Sequence, residues 1–280
     1  MNIQNILNLA NRSLKNSTIN FSESDSEILL SKVLKENKKY LILNLNKKIK
    51  KNDINHFNYL VNKRKKGKPV AYLTNIKEFW NEKFYINTNV LIPRPDSEHL
   101  VEETLKIYNK ESRLNILDIG TGSGCILLSI LKERKKFYGT GIDISKKAIN
   151  VAKFNAKVHQ LSNRVKFFNS DVDKFLFGKY DLVISNPPYI KKLSLKYLDN
   201  DVIGYEPKLA LDGGKDGLSI IKKVISRASV LLKRNGKLIL EIGFDQKSKC
   251  LNILKKNGFY INKTIKDYGK NDRCIISTKI

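Results

Sequence analysis

The four residues Asn186-Pro187-Pro188-Tyr189 carry the most specific chemistry in the chain. They follow an apolar run, Tyr180 to Ser185, expected as a strand, and in open α/β sheets ligands sit beyond the carboxyl ends of strands. Two prolines fix φ and remove two N–H groups, so the carbonyls before them stay free to accept. A carboxamide or aromatic amino nitrogen is a poor nucleophile because its lone pair is delocalised, and no ordinary side chain is basic enough to deprotonate it. If the Asn186 side-chain oxygen and the Pro187 carbonyl accept its two N–H groups, they hold the nitrogen and favour the positive charge that develops during attack. Tyr189 is expected to pack flat against the acceptor plane. A His or Glu base is then unnecessary, because the substituted nitrogen becomes acidic and sheds its proton afterwards. Asn186, Pro187 and Tyr189 are thus the catalytic candidates, and Asn186, Pro187, Pro188 and Tyr189 the candidates for gripping the acceptor. The competing reading is a structural turn.

Upstream, another apolar run leads into Asp118-Ile119-Gly120-Thr121-Gly122-Ser123-Gly124 and then into an expected helix from Cys125. Glycines in a strand-to-helix turn let a ligand approach backbone N–H groups. The spacing G-x-G-x-G lacks the G-x-G-x-x-G register of nicotinamide or flavin sites. It looks like motif I of class I methyltransferases, which implies S-adenosyl-L-methionine as donor and S-adenosyl-L-homocysteine as product. Gly120, Thr121, Gly122, Ser123 and Gly124 are the expected cradle. Asp143 ends the next strand, where a carboxylate can accept from both ribose hydroxyls; a helix N-cap is the alternative, although Ser145 suits that role better. Asp171 and Val172 follow a third strand, where related methyltransferases contact adenine; an ordinary surface aspartate is the alternative for Asp171. Asp118, Asp143 and Asp171 together would suit a positively charged sulfonium. Asn186 is expected to touch both donor and acceptor. No metal site is expected, because Cys125, Cys250 and Cys274, like His56, His99 and His159, are scattered.

The elements that position these groups follow from periodicity. Strands are expected at Leu114 to Asp118, Phe137 to Asp143, Val165 to Asn169, Tyr180 to Ser185 and Lys237 to Glu241, with amphipathic helices between most of them. That alternation implies a parallel sheet covered on both faces. Tyr260 to Lys266 and Arg273 to Lys279 are joined too tightly for a crossover and should form an antiparallel hairpin. The expected fold is therefore α/β, with a Rossmann-like seven-stranded methyltransferase sheet at residues 96–280. Residues 1–73 read as a small helical bundle for recognition. Ile3, Ile6, Leu7, Ala10 and Leu14 form one stripe. A second helix opens at Ser24, with Glu27 completing a capping box, and buries Ile28, Leu30, Val33 and Leu34. A third carries Ile54, Phe57, Leu60 and Val61 and ends in Lys63-Arg64-Lys65-Lys66, expected to be a solvated helix end. Residues 74–95 read as a β-hairpin linker with strands at Lys83 to Asn87 and Val90 to Ile92.

The choice of acceptor comes from Leu91-Ile92-Pro93-Arg94-Pro95-Asp96-Ser97-Glu98. This resembles the LIPRPxTE signature of the release-factor glutamine methyltransferases, the PrmC/HemK family, with Ser97 for the commoner Thr. Tyr205-Glu206-Pro207, Ala210-Leu211, Gly213-Gly214-Lys215-Asp216-Gly217, Glu241-Ile242-Gly243 and Asp267-Tyr268-Gly269 with Arg273 agree, so the resemblance spans the chain. It implies methylation of the glutamine of a Gly-Gly-Gln loop in class 1 peptide chain release factors, and hence a protein partner. Position 172 is Val where some relatives carry Trp against adenine. Arg94 and Glu206 could touch the substrate or brace the loops.

Composition bounds the rest. With 41% hydrophobic and 29% charged residues the chain is an ordinary folding sequence. The start lacks a secretory pattern and no run reaches membrane-spanning length, so a cytoplasmic protein without membrane association is expected. A net charge of +26, from 53 Lys+Arg against 27 Asp+Glu, would suit nucleic acid. It is mostly lysine spread along the chain, which equally suits compositional drift. A nucleic-acid N6-adenine or N2-guanine methyltransferase is the main rival, since similar tetrapeptides serve those acceptors. A silent ribosome-binding protein with the same fold is the other. No added target-reading domain and no aromatic-basic cluster for an extruded base are evident, so no specific nucleic-acid partner is expected.

Overall fold

The structure is a computed structural model that describes residues 1–17 and 23–280. The chain divides into two compact units, Met1–Ile76 with Leu198–Glu206, and Lys77–Tyr197 with Pro207–Ile280.

In the first unit, α1 (Ile3–Lys15) buries the expected stripe, and the Asn2 side chain caps it by accepting from the Asn5 N–H at 2.9 Å. Helix α2 (Glu23–Leu34) begins one residue before the expected Ser24 and buries Leu29, Leu30 and Val33. Ile28 faces solvent instead, and Leu34 is only partly buried. Buried Ser26 and Asp25 set this rotation, because Asp25 accepts from Arg64 Nε at 2.8 Å. Arg64 therefore is not part of a solvated end: on α4 (Lys51–Lys65) it is buried with Phe57, Leu60 and Val61. Two short helices not read from the sequence, α3 (Lys38–Leu43) and α5 (Val70–Thr74), lie on either side of α4 in the chain.

The hairpin lies earlier than expected, as β1 (Ile76–Phe79) and β2 (Glu82–Tyr85). It turns at Trp80-Asn81, both with positive φ, a conformation that two-residue hairpin turns require and that a bulky aromatic residue seldom adopts. Val90 to Ile92 is not a strand. Asn87 instead closes a turn, its side chain accepting from Asn89 N–H at 3.0 Å and its carbonyl from Val90 N–H at 3.1 Å.

Seven strands form the main sheet of the second unit: β3 (Asn115–Ile119), β4 (Tyr138–Asp143), β5 (Val165–Asn169), β6 (Tyr180–Ser185), β7 (Leu232–Glu241), β8 (Phe259–Lys266) and β9 (Asp272–Lys279). The order is β5-β4-β3-β6-β7-β9-β8, parallel from β5 to β7, with β9 antiparallel to both neighbours. Strand alternation feeds two cores. Ile116, Leu182, Ile184 and Ile239 pack on one face with α6 (Glu98–Ile107) and α7 (Cys125–Glu133), next to α8 (Lys146–Val158). Leu117, Val183, Leu238 and Leu240 pack on the other with α10 (Ser219–Leu231) and α11 (Lys247–Lys256). Between α8 and α10 the chain makes α9 (Asn200–Tyr205), which belongs to the first unit, where the Tyr205 hydroxyl donates to the Lys66 carbonyl at 2.9 Å. Among the described residues no helix is long and apolar enough to cross a membrane.

Candidate active site

In an order with β4 and β6 flanking β3, the carboxyl ends of three adjacent strands converge, and a ligand crevice opens where the connections diverge. A cavity of about 800 Å³ lies there, within the size range of small-molecule sites. The glycine turn forms one wall. Gly120 and Thr121 N–H both donate to the Ile142 carbonyl at 2.9 Å, tying the turn to β4. Gly120 sits at φ +76, and a Cβ built there would meet nothing within 4 Å. Backbone at this point is bare towards the cavity, the condition for a ligand to rest on it.

Asp143, at the end of β4, accepts from Gly122 N–H at 3.0 Å through one oxygen and from Ser145 N–H at 2.8 Å through the other. Burial pushes its carboxyl up, and these two backbone donors oppose that. Ser145 caps α8 by accepting from Ala148 N–H at 3.2 Å, so Asp143 is not the cap. Asp171 caps the single 3-10 turn that contains Val172, and both residues line the cavity. Asp118 does not: it is 1% exposed beneath the turn, where one carboxylate oxygen accepts from the Thr121 hydroxyl at 2.7 Å. Its other oxygen has no hydrogen-bond partner among the described residues, and burial, with Asp143 as a lesser cause, pushes its carboxyl up to about 7. A ring of three aspartates facing one ligand is therefore corrected to two, with the third bracing the loop from below.

Opposite the turn stand Asn186, Pro187 and Pro188. Gly213 presses on this segment, since a Cβ there would lie 2.8 Å from the Pro188 carbonyl oxygen and from Tyr189 Cα. Gln246 Nε2 donates to the Tyr189 carbonyl at 2.9 Å and to the Gly217 carbonyl at 3.0 Å, clamping the two loops together. Tyr189 differs from expectation. Its ring packs on the core that holds Leu240 and Ile242 rather than lining the cavity, and its hydroxyl donates to Glu241 at 3.4 Å. Burial, then the Glu241 carboxylate, holds the phenol above its ordinary range.

Ser97 and Glu241, which lie in the family-like stretches of the sequence but have no expected role of their own, complete the site. Asn186 Nδ2 donates to the Ser97 hydroxyl at 2.8 Å, and Ser97 donates to Glu241 at 2.7 Å. Glu241, the last residue of β7, is 1% exposed, and burial pushes its carboxyl up to about 7. Arg273 stands nearby, held by Asp96 at 3.3 Å and Asp267 at 2.8 Å. Four separated motifs thus meet in one polar network. The available signal was positional: β6 and β7 are adjacent and parallel, so the residues closing them fall side by side.

The chain's matches to known proteins cover both units. Residues 5–74 match the PrmC N-terminal domain and residues 97–203 the methyltransferase small domain. A release factor glutamine methyltransferase from Clostridium acetobutylicum is 39% identical across 100% of this chain and 99% of its own length. The chain belongs to this family. A release factor glutamine methyltransferase from Fusobacterium nucleatum is 41% identical over 91% of this chain and 73% of its own. Among solved structures, a methyltransferase from Pyrococcus furiosus shares the fold at 22% identity, with a TM-score of 0.50 over 70% of this chain and 88% of that one. The seven-stranded sheet has the class I methyltransferase fold, and residues 5–74 match the family's N-terminal domain.

Proposed function

We propose that the protein transfers a methyl group from S-adenosyl-L-methionine to the side-chain amide nitrogen, N5, of the glutamine in the Gly-Gly-Gln motif of class 1 peptide chain release factors. One observation carries the reading: the glycine turn and the Asn186-Pro187-Pro188 segment open on the same cavity, in a chain alignable end to end with a release factor glutamine methyltransferase.

The residues fit the donor. Gly120, Thr121, Gly122 and Ser123 line the cavity and would form the cradle, whereas Gly124 is corrected to a packing position against Leu128 and Ala152; Asp143 would accept the ribose hydroxyls, and Asp171 and Val172 would border the adenine. When bound, S-adenosyl-L-methionine supplies an electrophilic methyl group on a positively charged sulfur. The chain's own task is to orient the acceptor. Asn186 Oδ1 and the Pro187 carbonyl accept the two N–H groups of the glutamine amide, fixing its plane and favouring positive charge on the nitrogen as it attacks. Ile119, Ile126 and Pro188 give the cavity an apolar lining, which lowers the local polarity and strengthens these contacts. The S–CH3 bond breaks as the N–CH3 bond forms, and the nitrogen, now acidic, gives its proton to solvent at the open mouth of the cavity. Residues 1–73 are assigned to recognition of the release factor.

Labelled S-adenosyl-L-methionine incubated with a purified class 1 release factor, its Gln→Ala variant in the Gly-Gly-Gln loop, DNA and RNA tests the reading. Label in the intact factor alone is expected; label in nucleic acid and none in the factor overturns it in favour of a base methyltransferase.

A further inference from the structure

The Asn186 amide can do its work only in one of its two orientations. With Oδ1 towards the acceptor it accepts an N–H; rotated half a turn, it presents Nδ2 and repels the same group. Side-chain amides in open crevices rotate freely, so something must choose.

The choice is encoded three contacts deep. Glu241, when ionised, is an acceptor only, and it accepts the hydrogen bond that the Ser97 hydroxyl donates at 2.7 Å. A hydroxyl has one proton, so Ser97 can meet Asn186 only as an acceptor, and Nδ2 stands 2.8 Å away to donate. Rotating the amide would set two oxygens face to face at a site where Ser97 is 2% exposed. Leaving buried acceptors unsatisfied in this way disfavours that rotamer by roughly tenfold to a hundredfold. We propose that Ser97 and Glu241 are positioning residues that lock the Asn186 amide with Nδ2 turned into the protein and Oδ1 presented to the acceptor nitrogen. This deepens the methyltransferase reading above and rests on it.

The lock depends on the charge of Glu241. Facing that carboxylate are Tyr189 from the proline segment, Asp96 and Ser97 from the turn before α6, and Arg273 and Cys274 from β9. The Tyr189 phenol stays protonated through neutral pH because burial raises it. Once Glu241 itself takes a proton, near pH 7, it can donate to Ser97, whose own proton is then free to turn to Asn186. Both amide orientations become satisfied, and the productive one loses its advantage.

The experiment compares wild type with Ser97→Ala, Ser97→Thr and Glu241→Gln. Wild-type kcat for the release factor falls as pH drops through about 7. Ser97→Ala lowers kcat about tenfold at high pH, leaves KM for the factor within about twofold, and loses the low-pH limb, because Glu241 no longer communicates with Asn186. Ser97→Thr, which keeps the hydroxyl, restores both. Glu241→Gln, having no charge to lose, also lacks the limb. Independently of turnover, the Asn186 side-chain NH₂ in ¹⁵N–¹H spectra of the free protein exchanges slowly with solvent, and faster in Ser97→Ala. Unchanged kcat with unchanged exchange in Ser97→Ala, or a low-pH limb that persists in Ser97→Ala or Glu241→Gln, overturns the lock. Should wild type not methylate the factor at all, the functional reading fails, and the exchange measurement still decides the lock.

Discussion

Asn186 and Asp143 stand on opposite sides of one cavity and should fail in opposite ways. Asn186→Ala removes the acceptor-orienting oxygen and is expected to lower kcat about a hundredfold or more while calorimetric affinity for S-adenosyl-L-homocysteine stays within about threefold. Asp143→Ala should weaken that affinity by about tenfold or more, since it removes the carboxylate that also holds Gly122 and Ser145 N–H. The place of both at the cavity was legible from sequence because each is fixed at a strand end beside a local motif. Ser97 and Glu241 were not, for their bond joins residues 144 apart and leaves no periodic or local trace. Tyr189 was placed in the right segment but on the wrong face. A phenol beside a buried carboxylate is drawn inward, and the tetrapeptide alone contains no carboxylate.

Where an element is defined by its own periodicity, the sequence located it to within a residue or two, as for α1, β5 and β6. Elements that depend on a distant partner were harder to see. Arg64 belongs to a basic run, yet Asp25 on α2 draws it inside. Arg64→Ala should therefore destabilise the first unit by about 3–5 kcal/mol in urea unfolding, because it strands a buried carboxylate; a solvated lysine-like residue would cost almost nothing. The hairpin lies one strand earlier than expected because its turn uses Trp80 at positive φ, a conformation for which tryptophan has no turn propensity. At the loop level, Gly213→Ala forces a methyl into space 2.8 Å from the Pro188 and Gly217 carbonyl oxygens. Transfer should fall about tenfold or more while cofactor affinity is kept, since the displaced segment carries Asn186 and not the glycine turn.

Over the whole molecule, two buried carboxyls shape stability against pH. Asp118 and Glu241 are both raised to about 7, so each binds its proton more tightly in the folded than in the unfolded chain. Their contribution is complete below the ordinary carboxylate range and is lost as pH climbs through about 7. His159, lowered chiefly by burial, acts in the other direction just below its ordinary value. Asp118→Asn and Glu241→Gln should each flatten the fall in Tm between about pH 4 and 7, a difference read by calorimetry on matched samples. The general architecture was readable from the alternation of strand and helix. The membership of residues 198–206 was not, because the chain leaves the second unit and returns with no change of composition to mark it.

That excursion bears on how the chain is made. The apolar core of the first unit draws only on residues 3–73, so it can assemble soon after these leave the ribosome. Its last helix, α9, is synthesised more than a hundred residues later, after β3 to β6. A nascent bundle must therefore keep open the site that Tyr205 will occupy at the Lys66 carbonyl throughout translation of half the catalytic sheet. The folding of the two units is in this way interleaved in time, and a slow stretch of translation between residues 76 and 198 would lengthen the life of the unfinished bundle rather than help it finish.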